Sequence, residues 1–305
     1  MPANSSPLRI AILGAGKIGS AFAFQLVRSG GHDVTVIARP GSMRLGQLER
    51  DQAIVNVRGE RASVQIASSL DGEIPYDLVI VTVLAHQLEP ILPALKRSAA
   101  GCIQFMFNTF EPELLQATIG EGRCAFGMPF VQANLDREGQ LKVVIGAGGQ
   151  KTMINRQRWV DVFNAAGLPA IFEPDMLLWL RCHVPFCVAF ESISVAGERR
   201  GGGASWGDAL RLSRGVHASF AMIKGLGYSI YPQAKKRIDA SPPSVMAAML
   251  WFMSRIRLFR ELLATGEAEC CALVDDMAAA APLVKAPLAV DVSDILAMKP
   301  PRAFR

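Results

Sequence analysis

The chain has 305 residues, room for about two domains of ordinary size, each able to bury its own core without disulfides or a structural metal. Apolar residues make up 50% and charged residues 19%, which excludes disorder for the chain as a whole. The net charge of +5 comes from scattered side chains, apart from Arg199-Arg200 and the group Arg255, Arg257 and Arg260, so no basic face with aromatic platforms is available for nucleic acid, and a small anionic ligand fits better. The longest apolar run, residues 78–85 with one Thr inside, is far shorter than the roughly 20 residues of a bilayer span, so no membrane span is expected. Residues 1–7 have no basic n-region, which reads as no signal peptide and a cytoplasmic location. The six cysteines, at 102, 124, 182, 187, 270 and 271, form no CxxC pair and no zinc spacing, so no metal is expected and they read as buried reduced thiols.

In chain order, the first half alternates short apolar strands with amphipathic helices, the pattern of a parallel sheet with right-handed crossovers. Strands are expected at 8–13 and 33–38, with a helix at 17–29 between them whose stripe is Ile18, Ala21, Phe22, Gln25 and Leu26 and whose stop is Gly30-Gly31. A hairpin is expected from 52–57 and 62–67 around Arg58-Gly59-Glu60-Arg61. Buried strands follow at 78–83 and 102–107 with a helix at 88–97 between them, then a strand at 123–126 and an antiparallel hairpin turning at Asp136-Arg137-Glu138-Gly139. From Pro174 the alternation gives way to long helices at 175–196, 205–226 and 243–265. The expected division is a first domain over 1–170, a helical domain over 171–285, and a proline-punctuated tail over 286–305 that wraps the surface or frays. The fold class is thus α/β of the Rossmann kind followed by an all-α domain.

Gly14-Ala15-Gly16-Lys17-Ile18-Gly19 fits G-x-G-x-x-G directly after a strand and at the start of a helix. The first glycine permits the tight turn, the second lets a pyrophosphate approach the backbone, and the third lets helix and strand pack closely. Free N–H groups and the helix dipole then hold the anion. Where an NAD enzyme carries an acidic residue at the end of the second strand, this chain reads Ala38-Arg39-Pro40, and an arginine there favours a 2′-phosphate, hence NADP.

These motifs, with Val83-Leu84-Ala85-His86-Gln87 after the fourth strand and Asn108 ending the fifth, resemble the ketopantoate (2-dehydropantoate) reductases. The resemblance implies NADPH on the glycine loop, Arg39 at the 2′-phosphate, and Asn108 bordering nicotinamide and substrate. It also implies a cofactor-contacting residue at Leu84, where the family has lysine, and Glu269 reaching cofactor or substrate. The helical domain of the family opens with Trp-x-Lys, whose lysine is the general acid, followed by substrate-holding asparagines; here Trp179 is followed by Arg181, with Pro185 and Ala189 at the asparagine positions.

A guanidinium stays protonated and is a poor general acid, so Arg181 suits a carboxylate clamp or an oxyanion contact. The proton must then come from elsewhere. Glu191, isolated in apolar company where burial raises a carboxyl pKa, is the first candidate, with His183 and His86 in reserve. Against catalysis stands a salt bridge from Glu191 to Arg181, Arg199 or Arg200. The reading is an NADPH-dependent oxidoreductase acting on a small, anionic carbonyl compound such as a 2-oxo acid. The alternatives are a dehydrogenase of imines or hydroxy acids and a non-catalytic NADPH-binding regulator. Apolar helices in the second half offer a face for pairing into a homodimer.

Overall fold

In a computed structural model that describes residues 6–263, 266–284 and 291–300, the chain divides into two units. The first runs to Phe107 and resumes over Glu113–Met176; the second takes Asn108–Pro112 and the described residues from Leu177 onward.

The first unit begins with β1 (Arg9–Leu13), α1 (Lys17–Arg28), β2 (Asp33–Ile37), α2 (Met43–Asp51), β3 (Ala53–Val55), β4 (Arg61–Ser63) and β5 (Gln65–Ala67). It continues through β6 (Leu78–Val81), α3 (Leu92–Arg97), β7 (Ile103–Phe105), α4 (Pro112–Ile119), β8 (Cys124–Met128), β9 (Val131–Leu135), β10 (Leu141–Ile145), β11 (Thr152–Ile154), α5 (Gln157–Ala165) and β12 (Ala170–Phe172). Eight strands form one sheet in the order β12-β11-β8-β7-β6-β1-β2-β5, parallel throughout except where β11 meets β8. Because helices cover a parallel sheet on both faces, its central strands are apolar at every position rather than at alternate ones, and Leu78 to Val81 are all fully buried. From β1 the chain steps to β2 and β5 on one side, then returns to β6, β7 and β8 on the other. This is the Rossmann strand order, and its reversal between β1 and β6 opens the crevice in which such sheets bind ligands.

Two expected elements differ in detail. The second hairpin strand, expected over 62–67, is split: β4 pairs antiparallel with β3, while β5 joins the main sheet beside β2. The helix expected at 88–97 starts only at Leu92, after a 3-10 turn over Ala85–Gln87. The hairpin turning at Asp136 is present as β9 and β10, its turn held by Asp136 Oδ1, which accepts from the Glu138 and Gln140 N–H groups.

The second unit consists of α6 (Met176–Arg199), α7 (Trp206–Gly225), α8 (Gln233–Asp239), α9 (Pro243–Met253), α10 (Arg257–Leu263), α11 (Glu267–Ala280) and α12 (Val292–Leu296). By length and mean hydropathy (1.3) α6 could cross a membrane, but 67% of its apolar window is buried within the fold, as in a core helix. It runs through Pro185, which has no N–H to give the Arg181 carbonyl. The single helix expected over 243–265 is broken after Met253. There Ser254 Oγ donates to the Trp251 carbonyl and accepts the Ala204 N–H, while Arg260 binds the Ser254 carbonyl, so side-chain bonds replace the helical ladder.

The C-terminal stretch also departs from expectation. Instead of only wrapping or fraying, it contributes α12, which packs on α7 and α11 with Ile295 and Met298 fully buried. Met298 lies against Gly215 of α7, where any side chain would collide with it. Met298→Ala is therefore expected to cost about 2–5 kcal/mol of stability, as other buried truncations do, measured by urea unfolding; a change within about 0.5 kcal/mol would show that α12 is not part of the core.

Candidate functional site

Candidate residues occur in both units. The first unit holds the loop from β1 into α1. Gly14 has φ +115°, a conformation that L side chains rarely adopt, and a Cβ there would lie 2.8 Å from Thr82 Oγ1 and 3.0 Å from the Val83 nitrogen. A Cβ on Gly19 would collide with the Gly14 carbonyl oxygen. Gly16 has ordinary extended backbone, and nothing lies within 4 Å of a Cβ placed on it. The three glycines thus have distinct reasons: turn, open approach and close packing.

The loop is held from the sheet side. The Gly14 N–H donates to the Ile37 carbonyl (3.1 Å), and Thr82 Oγ1, at the end of β6, donates to the Gly14 carbonyl (2.8 Å). No side chain caps the N-terminus of α1, so its first N–H groups and the positive end of the helix dipole face outward beside Gly16. That geometry fits a dinucleotide pyrophosphate. Ala15 is buried, Lys17 is exposed and Ile18 half-buried on the first turn, and Arg39 stands exposed just past β2. Leu84 is half-buried with its N–H bonded to Gln87 Oε1 (3.3 Å), and the neighbouring His86 is exposed.

The second unit carries a polar stripe along α6. His183, Cys187 and Glu191 recur every four residues, which stacks them on one helix face. The Trp179 ring stacks on His183 with centroids 4.3 Å apart, and His183 Nε2 lies 3.4 Å from Cys187 Sγ. The Cys187 thiol donates to Asn108 Oδ1 (3.4 Å), and Asn108 Nδ2 donates to Glu269 Oε1 (3.3 Å) on α11, so both ends of the Asn108 carboxamide are engaged. One turn further, the Cys270 thiol donates to Glu191 Oε2 (3.0 Å).

Burial dominates the electrostatics of this stripe. It pulls the His183 imidazole down to about 3, with the Lys235 charge adding to the effect, so the ring is neutral at physiological pH. It pushes Cys187 and Cys270 far up, which keeps both as thiols. Burial, reinforced by the nearby Glu269 charge and opposed by the Cys270 hydrogen bond, raises Glu191 to about 7. Among the described residues the salt bridges that would have made Glu191 purely structural do not form: Arg199 pairs with Glu267 (3.0 Å) and Arg200 with Asp208 (3.5 Å).

Arg181 belongs to a different face. It sits about 200° around the helix from His183, two residues on. The side chain is 4% exposed, with its guanidinium 3.9 Å from the Tyr228 ring and 5.7 Å from the Phe110 ring. The guanidinium is thus held against aromatic rings in the interior of this unit. The polar residues of α6 recur at 183, 187 and 191, while positions 181, 185 and 189 hold Arg, Pro and Ala.

Sequence reasoning missed Thr82 as the anchor of the glycine loop, although it was the single polar interruption in the run 78–85. It also passed over Cys187 and Cys270, whose partners lie 79 residues away in each case. The four-residue periodicity of His183, Cys187 and Glu191 was the available signal. Among the described residues no cluster suited to a metal ion occurs.

Residues 10–156 match the family described as Ketopantoate reductase PanE/ApbA. No curated protein matches the sequence. Among solved structures, the chain is similar to the probable 2-dehydropantoate 2-reductase of Bacillus subtilis at 18% identity and a TM-score of 0.66, covering 96% of this chain and 98% of that one. The 2-dehydropantoate 2-reductase of Geobacter metallireducens gives 19% identity and a TM-score of 0.65 over 95% and 98% of the two chains. D-mandelate dehydrogenase, in a ternary structure with NADH and anilino(oxo)acetate, gives 16% identity and a TM-score of 0.58 over 91% and 100%. At such identities these likenesses establish the fold.

The raised Glu191 carboxyl has a consequence for stability. Between its ordinary value of 4.5 and about 7 the folded state holds a proton that the unfolded state releases, so this group's contribution is full below that window and falls as pH rises through it. Glu191→Gln should flatten the stability profile across about pH 5–7 and leave the protein more stable than wild type at about pH 8, by about 1–3 kcal/mol. Parallel profiles for the two proteins would place Glu191 in water.

Proposed function

We propose, for a chain whose residues 10–156 match the ketopantoate reductase family, an NADPH-dependent oxidoreductase that reduces a small 2-oxo acid or related carbonyl compound. The observation that carries the proposal is the glycine loop at the β1–β6 switch point, with open space at Gly16 and an uncapped α1 N-terminus. Gly14, Ala15, Gly16, Lys17, Ile18 and Gly19 would hold the pyrophosphate, Arg39 the 2′-phosphate, and Leu84 would border the cofactor. NADPH supplies the hydride when bound.

The remaining work falls to the stripe of the second unit. Asn108, its amide fixed between Cys187 and Glu269, orients the carbonyl compound, holding it in a geometry from which hydride can transfer. Reduction of a ketone also requires a proton on oxygen. Glu191, at about 7, is half protonated at neutral pH and suited to act as a general acid, whereas neutral His183 has no proton to spare as an imidazolium. The asparagines of the family motif have no counterpart at Pro185 and Ala189, which favours a 2-oxo acid other than ketopantoate.

Two experiments test this reading. In cofactor titrations, Arg39→Ala should weaken NADPH more than NADH by about 1.5–3 kcal/mol, and Gly16→Val, which has room to fold, should abolish binding of both. Equal losses for the two cofactors in Arg39→Ala would remove the 2′-phosphate assignment. In single-turnover oxidation of NADPH against a panel of 2-oxo acids, Glu191→Gln should lower the rate about 10²-fold with cofactor affinity unchanged, and the decline in rate above about pH 7 should disappear. An intact alkaline limb in the variant would reassign the proton donor.

A further inference from the structure

The glycine loop is held on its other side by an arginine that no motif announces. Arg44 lies in the first turn of α2, and its three nitrogens reach three parts of the first unit. Nε donates to the Ala15 carbonyl (3.2 Å), Nη2 to Ser20 Oγ (3.1 Å) on α1, and Nη1 to the Gly139 carbonyl (2.9 Å) in the β9–β10 turn and to Gln47 Oε1 (3.3 Å). Gln47 strengthens the same junction through Nε2, which donates to the Arg137 carbonyl (3.0 Å). Ser20 Oγ itself donates to the Ala15 carbonyl (3.2 Å), so the guanidinium and the hydroxyl converge on one peptide oxygen.

That oxygen belongs to the peptide joining Ala15 to Gly16. In a planar trans peptide the C=O and the following N–H point in opposite directions. With the Ala15 carbonyl drawn inward to Arg44 and Ser20, the Gly16 N–H is turned to the outer side of the loop, beside the open space above Gly16 and the uncapped end of α1. A guanidinium does this better than an ammonium, because its planar fork meets several acceptors in one fixed geometry. It also leaves a full positive charge directly behind the loop.

We infer that Arg44 is a positioning residue for the cofactor, orienting the Ala15–Gly16 peptide so that the Gly16 N–H faces the pyrophosphate, and tying that loop to α2 and the β9–β10 turn. The inference rests on the dinucleotide reading of the loop. The two arginines then have separate roles, since Arg39 selects between NADPH and NADH, whereas Arg44 serves whatever both cofactors share.

The test measures dissociation constants of NADPH, NADH and ADP-ribose, which keeps the pyrophosphate and lacks nicotinamide, for wild type, Arg44→Met and Arg44→Lys, alongside thermal unfolding. Arg44→Met should raise all three constants about tenfold or more while the NADPH to NADH ratio stays within about twofold of wild type. Arg44→Lys, which keeps the charge without the fork, should recover only part of the loss, and it carries the test alone if the methionine variant does not fold. Unchanged constants in a folded variant of lower melting temperature would make Arg44 structural and overturn the inference. A loss confined to NADPH would also overturn it, by placing Arg44 at the 2′-phosphate. Wild-type protein that binds none of the three ligands would overturn the dinucleotide reading and this inference with it, whereas binding by wild type and variants alike sinks the inference only.

Discussion

The Gly14–Thr82 contact is the constraint on which the first unit depends. β1 and β6 are neighbours in the sheet, and the chain must leave β1 for α1 at the point where the strand order reverses. That exit can be tight only if the residue after the strand takes a positive φ and has no side chain to strike Thr82, and only if its carbonyl finds a donor, which Thr82 provides. The packing of α1 follows from the same turn. Gly19 allows the helix to sit on the loop, and Phe22 then reaches Phe163 of α5 in an edge-on contact with centroids 5.1 Å apart. A crevice suited to a phosphate group is what remains between a turn so constrained and a helix whose first N–H groups have no side-chain cap.

The second unit solves the opposite problem. α6 is a core helix, buried at most positions from Leu180 to Ala196, yet it carries a line of polar side chains. Such groups are tolerated only with partners, and each has one: His183 has Trp179 and Cys187, Cys187 has Asn108, and Glu191 has Cys270. Weak thiol donors satisfy the carboxyl and the carboxamide without bringing a countercharge to either. The Glu191 carboxyl therefore stays near the midpoint of its titration, where an ion pair with an arginine would have driven it to full ionisation.

Much of the fold was legible from periodicity and punctuation. The continuous apolar runs marked the parallel strands, the glycine motif marked the start of α1, and the loss of alternation after Pro174 marked the helical unit. Short elements escaped notice. α2 has nine residues with Gly46 inside it, and its start depends on Ser42 Oγ accepting the Leu45 N–H, a bond with little sequence signature. Of the candidate site, the glycine turn was legible by motif, through Gly14, Gly16 and Gly19, and the burial-raised Glu191 carboxyl by its isolation in the sequence. The polar stripe of α6 shows why the remainder was not. A motif position specifies distance along the chain, whereas the face a helical residue presents depends on rotation, and a shift of two residues reverses it. Thr82 and Arg44 act on backbone carbonyls, which leave no trace in residue type at the other end of the bond.

The chain's path has a consequence for how the molecule can be divided. The second unit takes Asn108–Pro112 from the middle of the first, so three covalent crossings join the units, not one. Phe110, in that borrowed stretch, is fully buried within the hydrophobic cluster of the helical unit. A cut after Met176 would therefore not yield two whole modules: the N-terminal fragment would expose Phe110 to water, and the C-terminal fragment would lack a ring from its core and the Asn108 partner of Cys187 and Glu269. A functional transplant between relatives must accordingly move residues 108–112 together with the helices that enclose them, as a graft with two separate seams in the recipient chain.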